Sequence, residues 1–191
     1  MYKRQPSALL LELERHCRAA TYHLAWRLEH QLGANHLLRE LCAVLLGARV
    51  FQIQPLVAVA RASLKREVGR QFGSGGGHEE RSPSYHLEAV RDLSEVQLAL
   101  GDEAPSVLQS IVHRGLDFAA AIEHPDGDVP LFNDSQLDKT PRRALLSSVA
   151  GHRPGREEGL WNFEEEGYVV VRLGEGHLVI DCGAFLSLIH I

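Results

Sequence analysis

The chain has 191 residues, enough for one ordinary domain or for one domain with part of a second. Its 45% apolar and 24% charged residues match soluble globular proteins and exclude a disordered, collagen-like or membrane-embedded chain. A formal charge of −5 argues against a nucleic-acid partner, which normally meets a basic stripe.

Met1-Tyr2-Lys3-Arg4 carries the charge of an export signal, but the apolar stretch Ala8 to Leu13 is short and is closed by Glu12 and Glu14. It reads as the opening of an amphipathic helix, not as a leader. No run approaches the ~20 apolar residues that span a bilayer, so no membrane insertion is expected. Cys17, Cys42 and Cys182 form no close pair. They offer neither a disulfide framework nor zinc spacing, and they read as small core residues. The eleven histidines are scattered.

In chain order, Ser7 caps a helix predicted from Ala8 to Gln31, with Leu10, Leu13, Cys17, Ala20, Leu24 and Leu28 at helical spacing. Gly33 ends it. A second helix runs from Asn35 or His36 to Phe51, and Pro55 opens a third that ends near Phe72. Gly73 to Gly77 break the pattern. A fourth helix follows Ser82-Pro83, with Leu87, Val90, Leu93, Val96 and Leu100 on one face. A fifth opens at Pro105 with a stripe of Leu108, Ile111, Val112, Phe118 and Ile122. His124 to Asp128 read as a turn, Leu131 to Ser135 as irregular, and Thr140 to Val149 as a short helix.

The pattern then changes. Arg153 to Glu158 read as a linker. Tyr168 to Leu173 and His177 to Ile180 are short, β-branched strands joined through Gly174-Glu175-Gly176. A two-stranded hairpin is marginal alone and calls for further strands. The final six residues, Leu186 to Ile191, resemble the translation of an adapter used in preparing sequencing libraries, and they are set aside from fold reasoning.

Four segments carry the functional reading. They are Gly33-Ala34-Asn35-His36-Leu37-Leu38, the stretch Gly76 to His86, the stretch Asp126 to Ser135, and Gly167-Tyr168-Val169-Val170 leading to Asp181-Cys182-Gly183. Their order and content resemble the heparinase II/III-type polysaccharide lyases over nearly the whole chain. That resemblance implies a mainly α fold, an incomplete α/α toroid of helical hairpins over residues 1–152. The first strands of a truncated antiparallel β-sandwich follow over residues 153–185. It implies a partner as well: an anionic, uronate-bearing polysaccharide, heparan-like or other, cleaved by β-elimination in the periplasm or cell envelope.

Such a lyase removes the proton at C5 of the uronate and expels the oxygen at C4. The neighbouring carboxylate must be neutralised while charge builds on it. The resemblance assigns that task to Asn35 and His36. Residues alone favour Asn35 as a helix cap, and the two roles are compatible. Tyr85 matches the tyrosine that transfers the proton, although a lone tyrosine near a helix start more often closes a core. A tyrosine has an ordinary pKa of about 10, so a base role needs positive charge nearby. Arg81, one helical turn earlier, is expected to supply it. His78, Glu80, His86, Asn133 and Asp134 are the further substrate-binding expectations, with turn formation the competing role of Asn133 and Asp134.

Glu79 and Glu80 are adjacent and diverge in direction, which makes a poor hydrolase pair. The glycine stretch lacks the Gly-Lys-Ser/Thr ending of a phosphate loop. In the family, Asp181-Cys182-Gly183 leads into a histidine-rich segment that supplies a catalytic histidine and often metal ligands. Here the sequence departs into Phe185 and the set-aside tail. No cofactor is evident in this stretch, and a divalent metal is left to the sandwich. Residues 1–191 alone are therefore expected to turn over little, and the parent protein to be active. A non-catalytic glycan-binding scaffold is the rival reading. An α-solenoid is disfavoured because the helices show no fixed repeat.

Overall fold

The computed structural model describes residues 8–136, 140–155 and 157–183. Ser7, proposed as a cap, and the tail from 186 to 191 lie outside them. The described chain runs α1 (Ala8–Trp26), α2 (Ala34–Val50), α3 (Gln54–Gln71), α4 (Pro83–Leu100), a 3-10 turn (Gly101–Glu103), α5 (Ser106–Ile122) and α6 (Arg143–Ala150). Three strands follow: β1 (Gly159–Phe163), β2 (Tyr168–Leu173) and β3 (Gly176–Asp181). The expected class holds: mainly helical, with helical hairpins preceding an antiparallel sheet. Two compact units divide within α3, residues 1–64 and 65–191.

In the first unit α1 packs on α2. The approach is close because Gly47 faces Thr21; a Cβ there would strike the threonine side chain. Leu37, Leu38, Leu41, Cys42, Val44 and Leu45 of α2 are buried. Their spacing follows the 3.6-residue period that marks a core-facing stripe. α1 ends at Trp26, short of the expected Gln31, and the chain turns through residues 27–32.

In the second unit α4 and α5 form a hairpin, and α6 packs on both. Leu87, Val90, Leu93 and Val96 of α4 and Leu108, Ile111, Val112 and Leu116 of α5 are buried. The sheet is a meander in the order β1-β2-β3, with Trp161 opposite Val170 and Val170 opposite Val179. Side chains alternate between faces. The inner face sets Tyr168 and Val170 against Phe118 and Ile122 of α5, with Phe132, Trp161, Phe163 and Val179 packed around them. The other face places Leu160, Val171 and Leu178 in one cross-strand row, with Leu160 and Leu178 exposed.

Arg172 of β2 joins the layers. Its Nη2 donates to the carbonyls of Ala120 and Ala121 at 3.1 Å and of Glu123 at 3.3 Å, capping the end of α5. Two sequence expectations need correction. β1 was not foreseen, because Gly159 and Asn162 dilute its apolar pattern. Cys17 and Cys182 are exposed, so only Cys42 acts as a core residue.

Candidate active site

Ser82 caps α4. Its Oγ accepts from the Tyr85 backbone N–H at 3.4 Å, and Pro83 occupies the first turn, where its missing N–H costs nothing. Tyr85 thus sits in the first turn of a capped helix. From Arg81 to His86, every residue except Tyr85 is buried; Tyr85 is half-buried.

Arg81 precedes the helix in a left-handed conformation, φ 53°. The expected one-turn spacing to Tyr85 therefore does not apply, since Arg81 is not part of α4. Its guanidinium pairs with Asp181 of β3 at 3.5 Å, and the side chain is only 5% exposed. Its carbonyl accepts from Tyr168 Oη and from Asn133 Nδ2, each at 2.6 Å. Asn133 Nδ2 also reaches Asp181 Oδ2 at 3.3 Å. Burial, together with the Asp181 charge, pushes the Tyr168 phenol well up, so it remains a donor.

The turn holding Asn133 is stitched to the start of α4 by hydroxyls. Ser135 Oγ lies 3.1 Å from Ser82 Oγ and accepts the Ser84 N–H at 3.2 Å. Ser84 Oγ donates to the Gln136 carbonyl at 3.2 Å. Asp134 is half-buried beside it.

His78 and His86 were expected at the substrate; the structure buries both, at 2% and 1% exposure. The Glu80 N–H donates to His78 Nδ1 at 3.3 Å, which leaves Nε2–H to donate to Gln71 Oε1 at 3.0 Å. That arrangement fixes a neutral ring. Burial, with His86 and Arg70 nearby, lowers the His78 pKa to about 3. His86 Nε2–H donates to the Gly115 carbonyl at 2.9 Å, and burial lowers its pKa to about 4. Both rings meet aromatic edges, His78 that of Phe72 and His86 those of Phe72 and Phe118.

The glycine stretch has an internal occupant. Glu166 Oε1 accepts the Gly77 N–H at 3.3 Å and Glu165 Oε2 the Ser74 N–H at 2.6 Å. Side chains at Gly73, Gly75 or Gly77 would run into Glu166. The loop therefore cradles carboxylates from the β1–β2 turn. Glu79 pairs with Arg70 at 3.0 Å, while Glu80 is half-buried.

Asn35 and His36 belong to the first unit. Gly33 is the residue that caps α2, so Asn35 lies inside the first turn and does not serve as its cap. Ala34 just before it has φ 45°. Asn35 is half-buried, and His36 is exposed with Glu29 at 3.6 Å. Ala34, Arg81 and Asn133 are three of the four non-glycine residues with positive φ among the described residues. All three lie in the quoted motifs, and such strain concentrates where function fixes the backbone.

Sequence reasoning singled out Asn133 and Arg81 but missed Asp181 as the partner that joins them. It also missed Tyr168 and Glu166. The acidic run Glu164-Glu165-Glu166 opposite a glycine loop was the available signal for the last. Among the described residues, no three His, Cys, Asp or Glu side chains gather as a metal site requires. No helix there is long and apolar enough to cross a membrane.

Comparison with known proteins adds to this geometry. The family model described as Heparinase II/III N-terminus matches residues 6–158. A crystal structure of heparinase III superposes with a TM-score of 0.65 at 21% identity, covering 81% of this chain and 29% of that one. The heparinase III BT4657 gene product with methylated lysines gives a TM-score of 0.66 at 21% identity, over 91% and 30%. The same gene product in another structure gives 0.62 at 20% identity, over 88% and 30%. The chain thus spans less than a third of the length of these structures, with which it shares a fold. No curated protein matches it.

Proposed function

Because the chain belongs to the heparinase II/III family, we propose that its protein cleaves an anionic, uronate-bearing polysaccharide by β-elimination. Tyr85, as the phenolate, takes the proton from C5, electrons move to form the C4–C5 double bond, and the C4–O bond breaks as the phenol returns that proton to the leaving oxygen. To Asn35 and His36, in the first unit, the family resemblance assigns neutralisation of the uronate carboxylate. The first turn of α2 adds backbone N–H groups that favour an anion. Glu80 and Asp134 extend the sugar contact. His78 and His86 serve from beneath as neutral supports of the loop.

The observation that carries this reading is the exposure of Tyr85. It alone of Arg81 to His86 is not buried, in a turn held by the Ser82 cap on its own N–H and by the Ser84 N–H bond to Ser135. A tyrosine that merely closed a core would be sealed like its neighbours. On this reading the polysaccharide is met in the periplasm or cell envelope.

The test is incubation of the full-length protein with heparan sulfate and other uronate polysaccharides, following the ultraviolet absorbance of the unsaturated product. Wild type should produce it and Tyr85→Phe should not. Saturable binding without product in wild type would replace the enzyme by a glycan-binding scaffold.

A further inference from the structure

Three segments far apart in sequence meet at one backbone unit, the peptide of Arg81. Asp181, at the end of β3, holds its guanidinium. Asn133 bridges the Arg81 carbonyl and the Asp181 carboxylate through one amide nitrogen. The guanidinium lies in a slot between Gly167 and Gly183, where a Cβ on either glycine would meet Arg81 Nη1. Arg81 is held at φ 53°, and the next residue, Ser82, caps the helix through the Tyr85 N–H. Left-handed backbone at a non-glycine residue is strained and persists only where surroundings enforce it. Asp181 and Asn133 do the enforcing here.

We propose that Asp181 is a positioning residue for Tyr85, acting through Arg81 to set the direction of the first turn of α4. The sheet thereby controls a catalytic group on the helical layer without touching the sugar. The proposal rests on the reading of Tyr85 as the proton-transfer group. It also gives Arg81 a second role, through the backbone that its guanidinium anchors.

The experiment compares full-length wild type with Asp181→Asn, Arg81→Met, the double variant and Tyr85→Phe. Asp181→Asn keeps the shape and removes the charge. It should lower kcat about tenfold with KM within about twofold, because only the transition-state geometry is disturbed. In the Arg81→Met background the same change should add nothing, as expected of residues acting in series. Backbone hydrogen exchange should rise at Ser84 and Tyr85 in Asp181→Asn and stay unchanged in the middle of α5.

Wild-type kcat, a loss confined to KM, additive losses in the double variant, or unchanged exchange at Ser84 and Tyr85 would each overturn the proposal. Where the asparagine variant folds poorly, Asp181→Glu serves as the second variant. Its retained charge should restore most of kcat, and failure to do so counts against the idea. Full turnover by Tyr85→Phe overturns the catalytic reading and this inference together. A dead Tyr85→Phe beside an unaffected Asp181→Asn overturns this inference alone.

Discussion

Tyr168 and Asn133 share one acceptor: the phenol and the side-chain amide both donate to the Arg81 carbonyl at 2.6 Å. A carbonyl has two lone pairs, so the acceptor is saturated. Removing one donor leaves the other in place. Tyr168→Phe should therefore cost only about 1 kcal/mol, the net worth of one hydrogen bond. Removing both leaves the carbonyl of a buried residue unsatisfied. The pair Tyr168→Phe with Asn133→Ala should then lose more than the sum of the single changes. Denaturant titration of the four proteins measures this, and simple additivity would disprove the shared acceptor.

The two buried histidines predict acid sensitivity. Unfolded, each ring titrates near 6.5; folded, His78 titrates at about 3 and His86 at about 4. Above pH 6.5 neither state binds a proton and no slope arises. Below it the unfolded chain takes up protons that the folded chain refuses. Stability then falls as pH falls, by about 1.4 kcal/mol per pH unit for each ring. The His86 contribution levels off near pH 4 and that of His78 near pH 3. Thermal melting between pH 7 and pH 5 should show the decline, and His78→Gln with His86→Gln should flatten it. An equal decline in that variant would assign the effect to carboxylates instead.

These relationships differ in how far the sequence reveals them. Helices α2 to α5 are legible because burial repeats every three to four residues, as with Leu87, Val90, Leu93 and Val96. The β2–β3 hairpin is legible from alternation and its Gly174 turn. The Arg81–Asp181 pair is not legible, because the two residues lie 100 positions apart and no local rule joins them. Spacing even misleads here. Arg81 and Tyr85 are four positions apart, but helical periodicity applies only from Pro83 onward. Burial of His78 and His86 is likewise invisible in sequence. A histidine beside a candidate tyrosine looks like a ligand until Gln71 and Gly115 are seen to hold the rings.

The glycine stretch is explained by what it must admit. A Cβ at Gly77 would lie 2.5 Å from Glu166 Cγ and 3.0 Å from Phe118 Cζ, both fixed by packing. Gly76 has φ 93° and faces the Arg114 backbone, so it faces strain as well as a clash. Gly77→Ala should cost about 1–3 kcal/mol, as overpacking does. Gly76→Ala should cost more, because its obstacle is backbone that cannot rotate aside. Glu166→Ala should relieve part of the Gly77→Ala penalty, since the obstructing side chain is gone. Calorimetric melting of the single and double variants checks the order, and an equal penalty with and without Glu166 would refute the packing argument.

The last prediction concerns how α6 is docked. Glu123, the residue that ends α5, accepts from Arg143 Nε at 2.9 Å and Nη2 at 2.6 Å, both on Oε2. The side chains are 4% and 12% exposed. A pair this deep gains Coulomb energy but has already lost the hydration of both charges, so its net contribution is small. Breaking it is another matter. Glu123→Leu strands a guanidinium with little water and should cost about 3–5 kcal/mol, and Arg143→Leu, which takes both Oε2 donors from the carboxylate, should also destabilise. The double change leaves neither charge behind and puts two apolar side chains where α5 meets α6. The Arg172 cap on the Glu123 carbonyl survives it, because that bond uses backbone. The double variant should therefore be more stable than either single variant, as read by chemical denaturation. Losses that simply add would mean that the two side chains stabilise α6 independently.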